Sequence, residues 1–499
     1  MAWPLVSENP PLSRMGKRSS DTKPVAGLLA LAAMAMLIHG YHPYAEDAEI
    51  YLPGVLKLLH PNLFPANAAF FGEHAGHTLY PRLIAASAHF TQLPLPWVTF
   101  LWQFASIFLL LAGTWRLSAA FFPQDRARWG SVALMAALLT LPVAGTALYI
   151  VDQYLNPRNL AAFAAMFAVA EVLRRKYVAT FLWLVLAAAV HPLMSSFAIA
   201  FCAWLVVLDR YRPPWLGFAA LFPLGILDPP PPSYHEVALR QSYFFVLSWH
   251  WYEWLGVIGP VLLFWWLARL ARRRGLENVE LVSWAMIPYI VLASVAAIVL
   301  SIPARFEALA RFEPLRCLAL AYMILIVIGG GLLSLYVLRA SVWRWLVLFV
   351  PLSLGMYAAQ RQLFPASAHL EWPWARPTNP WAQAFEWVRE KTPTDSLFAL
   401  NPRHMALPGE DENGFRARAE RSRLADAVKD KGAASAFPPL SDRWLEQFRD
   451  QENWTQFRKD DFERLHRKYG VSWIVIERPG PEDLDCPYEN SKVRVCRLD

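Results

Sequence analysis

Charge is scarce in this chain: Asp, Glu, Lys and Arg make up 17% of its 499 residues, against roughly 25% in soluble domains. That deficit excludes an ordinary soluble enzyme. In its place 56% of the residues are hydrophobic and 14% aromatic, gathered in repeated blocks, many long enough to cross a hydrocarbon core of about 30 Å. The composition predicts a polytopic α-helical membrane protein.

Other absences narrow the function. The net charge of +7 is not arranged as a nucleic-acid-binding stripe. The basic residues punctuate the apolar blocks instead (Arg116/Arg126/Arg128, Arg174/Arg175/Lys176, Arg210/Arg212, Arg269/Arg272/Arg273/Arg274, Arg339/Arg344), as short cytoplasmic loops do. No nucleic-acid partner is expected. There is no HExxH pair for zinc and no Gly-rich phosphate loop; Gly329-Gly330-Gly331 falls inside an apolar block, where small residues let helices approach closely. No internal repeat is evident, which argues against a transporter built from duplicated halves. Cysteine is limited to four residues. Cys202 and Cys317 lie in apolar blocks and read as inert small hydrophobes. Cys486 and Cys496 lie in the hydrophilic tail, and form a disulfide if that tail faces an oxidising compartment, or stay free thiols if it faces the cytosol.

The apolar blocks trace a path when basic loops are kept inside. The N-terminal tail, 1–24, carries Arg14, Lys17, Arg18 and Lys23 and stays in the cytoplasm. No small-residue cleavage site follows Tyr41, so 25–41 reads as an anchor. Loop 42–94 is then outside, and further spans are expected over 95–121, 129–150, 159–173, 177–190, 193–208, 215–227, 254–271, 281–301, 314–337 and 343–360. These make about eleven spans in a membrane domain covering 25–360, and they leave 361–499 on the outer side, where the cysteine pair would oxidise. Residues 80–93 are apolar but reach only about 21 Å as a helix, so they read as interfacial. In the tail, Asn379 is positioned to cap a helix with Trp381, Phe385 and Val388 on one face. Strands are expected near 396–400, 471–476 and 492–497, and a helix over 459–469. Together they predict a small soluble α/β domain, whose charged middle, 407–440, reads as mobile.

Chemistry is expected where carboxylates emerge at the outer rim of the bundle, since charge beside lipid is costly and is usually kept for a task. Glu46-Asp47-Ala48-Glu49 follows the first span, and Asp152 stands at the outer mouth of another. Two such carboxylates suit a general base with its orienting partner, or the ligands of a divalent cation. Arg305, Arg311 and Arg316, with Arg82 and Arg158 in other outer loops, break the positive-inside trend; their forks match phosphate oxygens. Histidines also gather on this side (His42, His60, His74, His77, His191, His235, His250).

The motif His42-Pro-Tyr-Ala-Glu-Asp-Ala-Glu-Ile-Tyr51, the short helix opening at Tyr80-Pro81, and Tyr149-Ile-Val-Asp152 together resemble the GT-C class of integral membrane glycosyltransferases. The likeness covers about the first 175 residues, and the remainder in architecture alone. It also extends to bacterial membrane proteins that share the HPYxEDAEIY loop. The resemblance implies an enzyme of the bacterial cytoplasmic membrane that transfers sugar from a polyprenyl-phosphate donor. Asp47, Glu46 and Asp152 would be catalytic, and Glu49, Tyr51, His191, Arg305, Arg311 and Arg316 would contact substrate. The Glu-Asp order and the unfamiliar tail depart from the family pattern. The rival class is a non-enzymatic transporter, or an assembly protein that handles lipid or glycan; such a transporter would place essential ionisable residues near the bilayer midplane, where this chain has few.

Overall fold

The computed structural model describes residues 22–211, 231–302 and 306–498. The described chain opens with α1 (Thr22–His39), then three short helices, α2 (Ala48–Leu59), α3 (Ala69–Gly76) and α4 (Tyr80–Thr91), of which the last two pack on α2. Helix α4 has 12 residues, about 18 Å of rise, which is short of a membrane core. Helix α5 (Leu95–Phe121) begins with prolines at positions that need no N–H partner and runs 27 residues, followed by α6 (Asp125–Ala137).

Here the structure departs from the expected span over 129–150. The chain leaves the helix at Leu138 and turns through a hairpin of β1 (Pro142–Val143) against β2 (Leu148–Tyr149). Pro142 cannot donate to a helix and clashes with the preceding turn. Gly145 lies flat against Trp249, where a Cβ would meet the indole at 2.5 Å.

Helices α7 (Pro157–Leu173), α8 (Tyr177–Val190) and α9 (Pro192–Tyr211) follow, the last two separated by the His191-Pro192 turn. The expected span at 215–227 and the first two prolines of the run after Asp228 lie outside the described residues. The chain continues with α10 (Ser233–Leu239), α11 (Trp251–Arg274), α12 (Glu277–Ser301) and α13 (Glu307–Ala310). Helix α14 (Leu318–Leu332) then runs on through a π-helical stretch, Leu333–Leu338, and a turn at 339–341 leads to α15 (Val342–Leu363). Among the described residues, five segments are long and apolar enough to cross a membrane: α5, α11, α12, Ala308–Leu338 and α15. Three shorter apolar helices, α1, α8 and α9, bring the number to eight of the eleven expected. Their outer faces are apolar: Trp343, Val347 and Leu354 on α15, and Val178, Phe181 and Leu182 on α8, are all more than 60% exposed, as lipid-facing side chains are.

The glycine triplet acts as its composition suggests. Helices α6 and α14 approach so closely that a Cβ on Gly130 would lie 2.4 Å from the Gly330 carbonyl oxygen. Ser131 beside it donates to the Val327 carbonyl at 2.6 Å.

The C-terminal region comprises α16 (Pro380–Lys391), β3 (Leu397–Leu400), α17 (Phe415–Ala419), β4 (Ser422–Arg423), α18 (Lys429–Ala436), α19 (Ser441–Gln451), α20 (Lys459–Tyr469), β5 (Trp473–Glu477), β6 (Asp485–Glu489) and β7 (Val493–Arg497). The strands form one open sheet in the order β4-β3-β5-β7-β6, with the first three parallel and the last two antiparallel additions. Alternation along the strands builds two cores. Phe398, Leu400 and Val475 meet Trp381, Phe385 and Val388 of α16 on one face, and Ala399, Ile474 and Ile476 meet Phe462 and Leu465 of α20 on the other. The Asn379 side chain accepts from the Trp381 N–H at 2.9 Å, capping α16. Cys486 and Cys496 are bonded across β6 and β7, while Cys202 and Cys317 are free and buried.

The expectation of a mobile 407–440 is overturned. Arg416, Arg418, Arg421 and Arg423 are each at most 3% exposed, because each finds partners inside the fold: Arg416 grips Asp430 and Glu49, Arg418 grips Glu371, Arg421 donates to the Thr392 carbonyl and Arg423 to the Leu424 carbonyl.

Candidate functional site

The outer loop after α1 is held between the bundle and the C-terminal region. The Tyr41 N–H donates to the His369 carbonyl at 3.0 Å, the Glu46 N–H to the Glu412 carbonyl at 2.9 Å, and the Gly414 N–H to the Tyr44 carbonyl at 2.7 Å. Glu46 is driven into the left-handed region, φ +56°, which a non-glycine residue adopts at a cost and which recurs at functional sites.

A second loop brings Asp152 to the same place. Asn156 caps α7 by accepting the Asn159 N–H at 3.1 Å. The Asn159 side chain accepts the Asp152 N–H at 3.2 Å and donates to the Tyr154 carbonyl at 3.0 Å. With Pro157 in the first turn, this places Arg158 at the helix N-terminus. A cation at the positive end of a helix is disfavoured, and here two carboxylates offset that cost. Arg158 Nη1 lies 2.7 Å from Asp47 Oδ2, and Nη2 lies 3.0 Å from Asp152 Oδ2. Asp47 and Asp152, from separate loops, thus meet on one guanidinium.

The C-terminal region supplies a third element. Asp426 Oδ1 accepts from the N–H groups of Val428 at 2.7 Å and Lys429 at 2.6 Å, opening α18. Lys429 Nζ reaches Asp47 Oδ1 at 2.9 Å and also pairs with Glu46. Two helix N-termini, each carrying a cation in its first turn, therefore converge on Asp47. Burial, with Lys431 nearby, draws the Lys429 ammonium down to about 7; the two carboxylates in contact with it act in the opposite sense. Burial lifts Glu412 to about 7, with Asp47 and Asp411 adding to it, and holds His74 down at about 4.

These groups form one end of a cavity of about 1080 Å³. Glu46, Asp47, Tyr51, Asp152, His191, Arg311 and Arg316 line it, together with Arg158, Lys429, Lys431, Glu412, Glu313, His74 and His77. Arg316 pairs with Glu313 at 2.6 Å, and Arg311 donates to the Ala436 carbonyl at 2.9 Å. The other end is apolar. Leu193, Phe197, Ala200 and Trp204 of α9 face Tyr289, Leu292, Ala293 and Ala296 of α12. Both sets recur at helical spacing, so the slot follows α9 for about 16 Å, three turns, and α12 for about 10 Å, two turns.

One of the expected residues stands elsewhere. Glu49 is fully buried away from the lining, pairing with Arg416 at 3.4 Å and accepting the Ala417 N–H at 3.2 Å; it joins α2 to the C-terminal region. Arg305 lies outside the described residues. Sequence reasoning missed Lys429 and Lys431, which sit in a charged stretch without periodicity, and did not single out Arg158 from the other outer arginines. A clue to Arg158 was available in Asn156-Pro157, an N-cap and first-turn pair that fixes where α7 begins. Among the described residues, no group of three or more His, Cys, Asp and Glu side chains is arranged to hold a metal ion. Neither a protein-family model nor a curated protein sequence matches this chain.

Proposed function

We propose that this protein is a membrane glycosyltransferase, of the GT-C kind that its outer loop resembles. It would move a sugar from a polyprenyl-phosphate-linked donor to an acceptor at the outer face of a bacterial cytoplasmic membrane. One observation carries the reading: a single cavity is cationic and acidic at one end and, at the other, an apolar slot between two apolar helices. A ligand complementary to both ends has an anionic head and a long hydrocarbon tail. The basic N-terminus and the Cys486–Cys496 bond support an extracytoplasmic C-terminal region.

In this mechanism Asp47 takes the proton of an acceptor hydroxyl, whose oxygen attacks the anomeric carbon. The bond from that carbon to the phosphate oxygen breaks, its electron pair leaves with polyprenyl phosphate, and the anomeric configuration inverts. Arg158 and Lys429, with Arg311 and Arg316 on the same lining, offset the charge gathering on the departing phosphate. An incoming phosphate competes with Asp47 for Arg158 and Lys429, so donor binding loosens the ion pairs that neutralise the base.

The test uses the full-length protein in nanodiscs with a polyprenyl-phosphate sugar donor. Native mass spectrometry should detect retained polyprenyl-phosphate lipid, and donor turnover should fall about 10²–10⁴-fold in Asp47→Asn with lipid retention kept. Retention without turnover in the native protein would favour a lipid-handling role; failure to retain any such lipid overturns the reading.

A further inference from the structure

Paired outer carboxylates invite a divalent ion, but the residues around them do not fit one. Both oxygens of Asp47 already carry a cation, with Arg158 Nη1 at 2.7 Å from Oδ2 and Lys429 Nζ at 2.9 Å from Oδ1. Asp152 Oδ2 receives Arg158 Nη2 at 3.0 Å and the Asn156 amide as well. A divalent ion needs carboxylate oxygens at about 2.0–2.6 Å. It would have to take the lone pairs these donors use while sitting beside two positive charges.

We propose that Arg158 is the resident cation of this site, standing where a divalent metal would bridge Asp47 and Asp152, and that it closes the site to such metals. Three oxygens surround its guanidinium: Asp47 Oδ2, Asp152 Oδ2 and the Tyr154 hydroxyl at 3.4 Å. They come from a helix-bounded loop and a clamped turn, so they stay near one another when the guanidinium is removed. Hard oxygen donors of this kind select Mg²⁺ or Mn²⁺ over softer ions. Arg158 thus does two jobs that a metal would otherwise do: it neutralises the two carboxylates that the loops bring together, and it places a positive charge at the polar end of the cavity. The planar fork is what allows one side chain to serve two carboxylates. This assignment is independent of the glycosyl-transfer reading, since it concerns ion occupancy and is measured without turnover.

The experiment is a Mn²⁺ titration of the full-length, detergent-solubilised protein, followed by the electron paramagnetic resonance signal of free Mn²⁺. The native protein should bind no stoichiometric Mn²⁺. Arg158→Ala should bind one ion per chain, at least about tenfold tighter than the native protein (about 1.4 kcal/mol), and Arg158→Ala combined with Asp152→Asn should lose it. Stoichiometric Mn²⁺ on the native protein that disappears in Asp47→Asn overturns the proposal, as does a folded Arg158→Ala that binds none. If Arg158→Ala does not fold, Arg158→Met keeps the length and apolar stem and is read in the same way. If neither variant folds, the native titration decides: stoichiometric Mn²⁺ overturns the assignment and none upholds it.

Discussion

Glu49 of α2 and Asp430 of α18 share one guanidinium: Arg416 reaches Glu49 Oε1 at 3.4 Å and Asp430 Oδ2 at 2.7 Å, and all three side chains are at most 1% exposed. Asp430 follows Lys429 directly, and Glu49 lies two residues beyond Asp47, in the first turn of α2. The buried triad therefore sets the reach of Lys429 onto Asp47. Arg416→Met leaves two carboxylates buried without their cation, a loss of about 3–5 kcal/mol. Thermal denaturation should register a large drop in Tm, and limited proteolysis should open the chain between 407 and 440. A Tm within a degree of the native value would remove the triad from this role.

Tail recognition is expected to depend on the slot between α9 and α12. Ala200 lines it, and Ala200→Phe fills the space a polyprenyl chain would use. Turnover of long-chain donors should fall at least about tenfold, a loss of about 1.4 kcal/mol, while donors with one or two isoprene units are affected less. Equal loss for both lengths would mean that the slot does not hold the tail.

Helix contact at Gly130 and Gly330 leaves no room for side chains. Gly330→Val places a branched group against the Gly130 carbonyl, where even a Cβ would be 2.5 Å away. Overpacking of this kind costs about 1–3 kcal/mol and should lower the denaturation temperature of the detergent-solubilised protein. Gly355→Val, in open space, serves as the control.

Glu412 gives stability a pH dependence of known sign. Its carboxyl is raised from the ordinary range to about 7, by burial first and then by Asp47 and Asp411. The folded state therefore binds more protons than the unfolded one between about pH 4.5 and 7, so this contribution is complete below that window and is lost as pH rises through 7. Denaturation midpoints should decline across this interval, and Glu412→Gln should flatten the decline. An unchanged slope in the variant would assign the effect to another group.

What could be read from the sequence follows a physical division. Helices α5 and α8 coincide with the spans expected at 95–121 and 177–190, because continuous apolar runs bounded by proline or basic residues carry their own limits. The Asn379 cap and the buried strand Trp473–Glu477 were legible for the same local reason. Residues 129–150 failed because an apolar run hides a hairpin once Pro142 and Gly145 interrupt it. Residues 407–440 failed because burial of arginine depends on partners distant in the chain, such as Glu49 and Glu371. Asp47 and Asp152 were singled out separately from their positions at the membrane rim. That one side chain would join them could not be read before the loops were in place.

Helix α18 contributes Lys429, Lys431 and Phe437 beside it to the cavity lining, although it belongs to the region beyond the last membrane helix. A chain stopped after α15 would lack that wall, and Glu46 and Asp47 would face open solvent without their ammonium counterpart. Membrane and non-membrane portions should be expressed, purified and assayed as one indivisible piece.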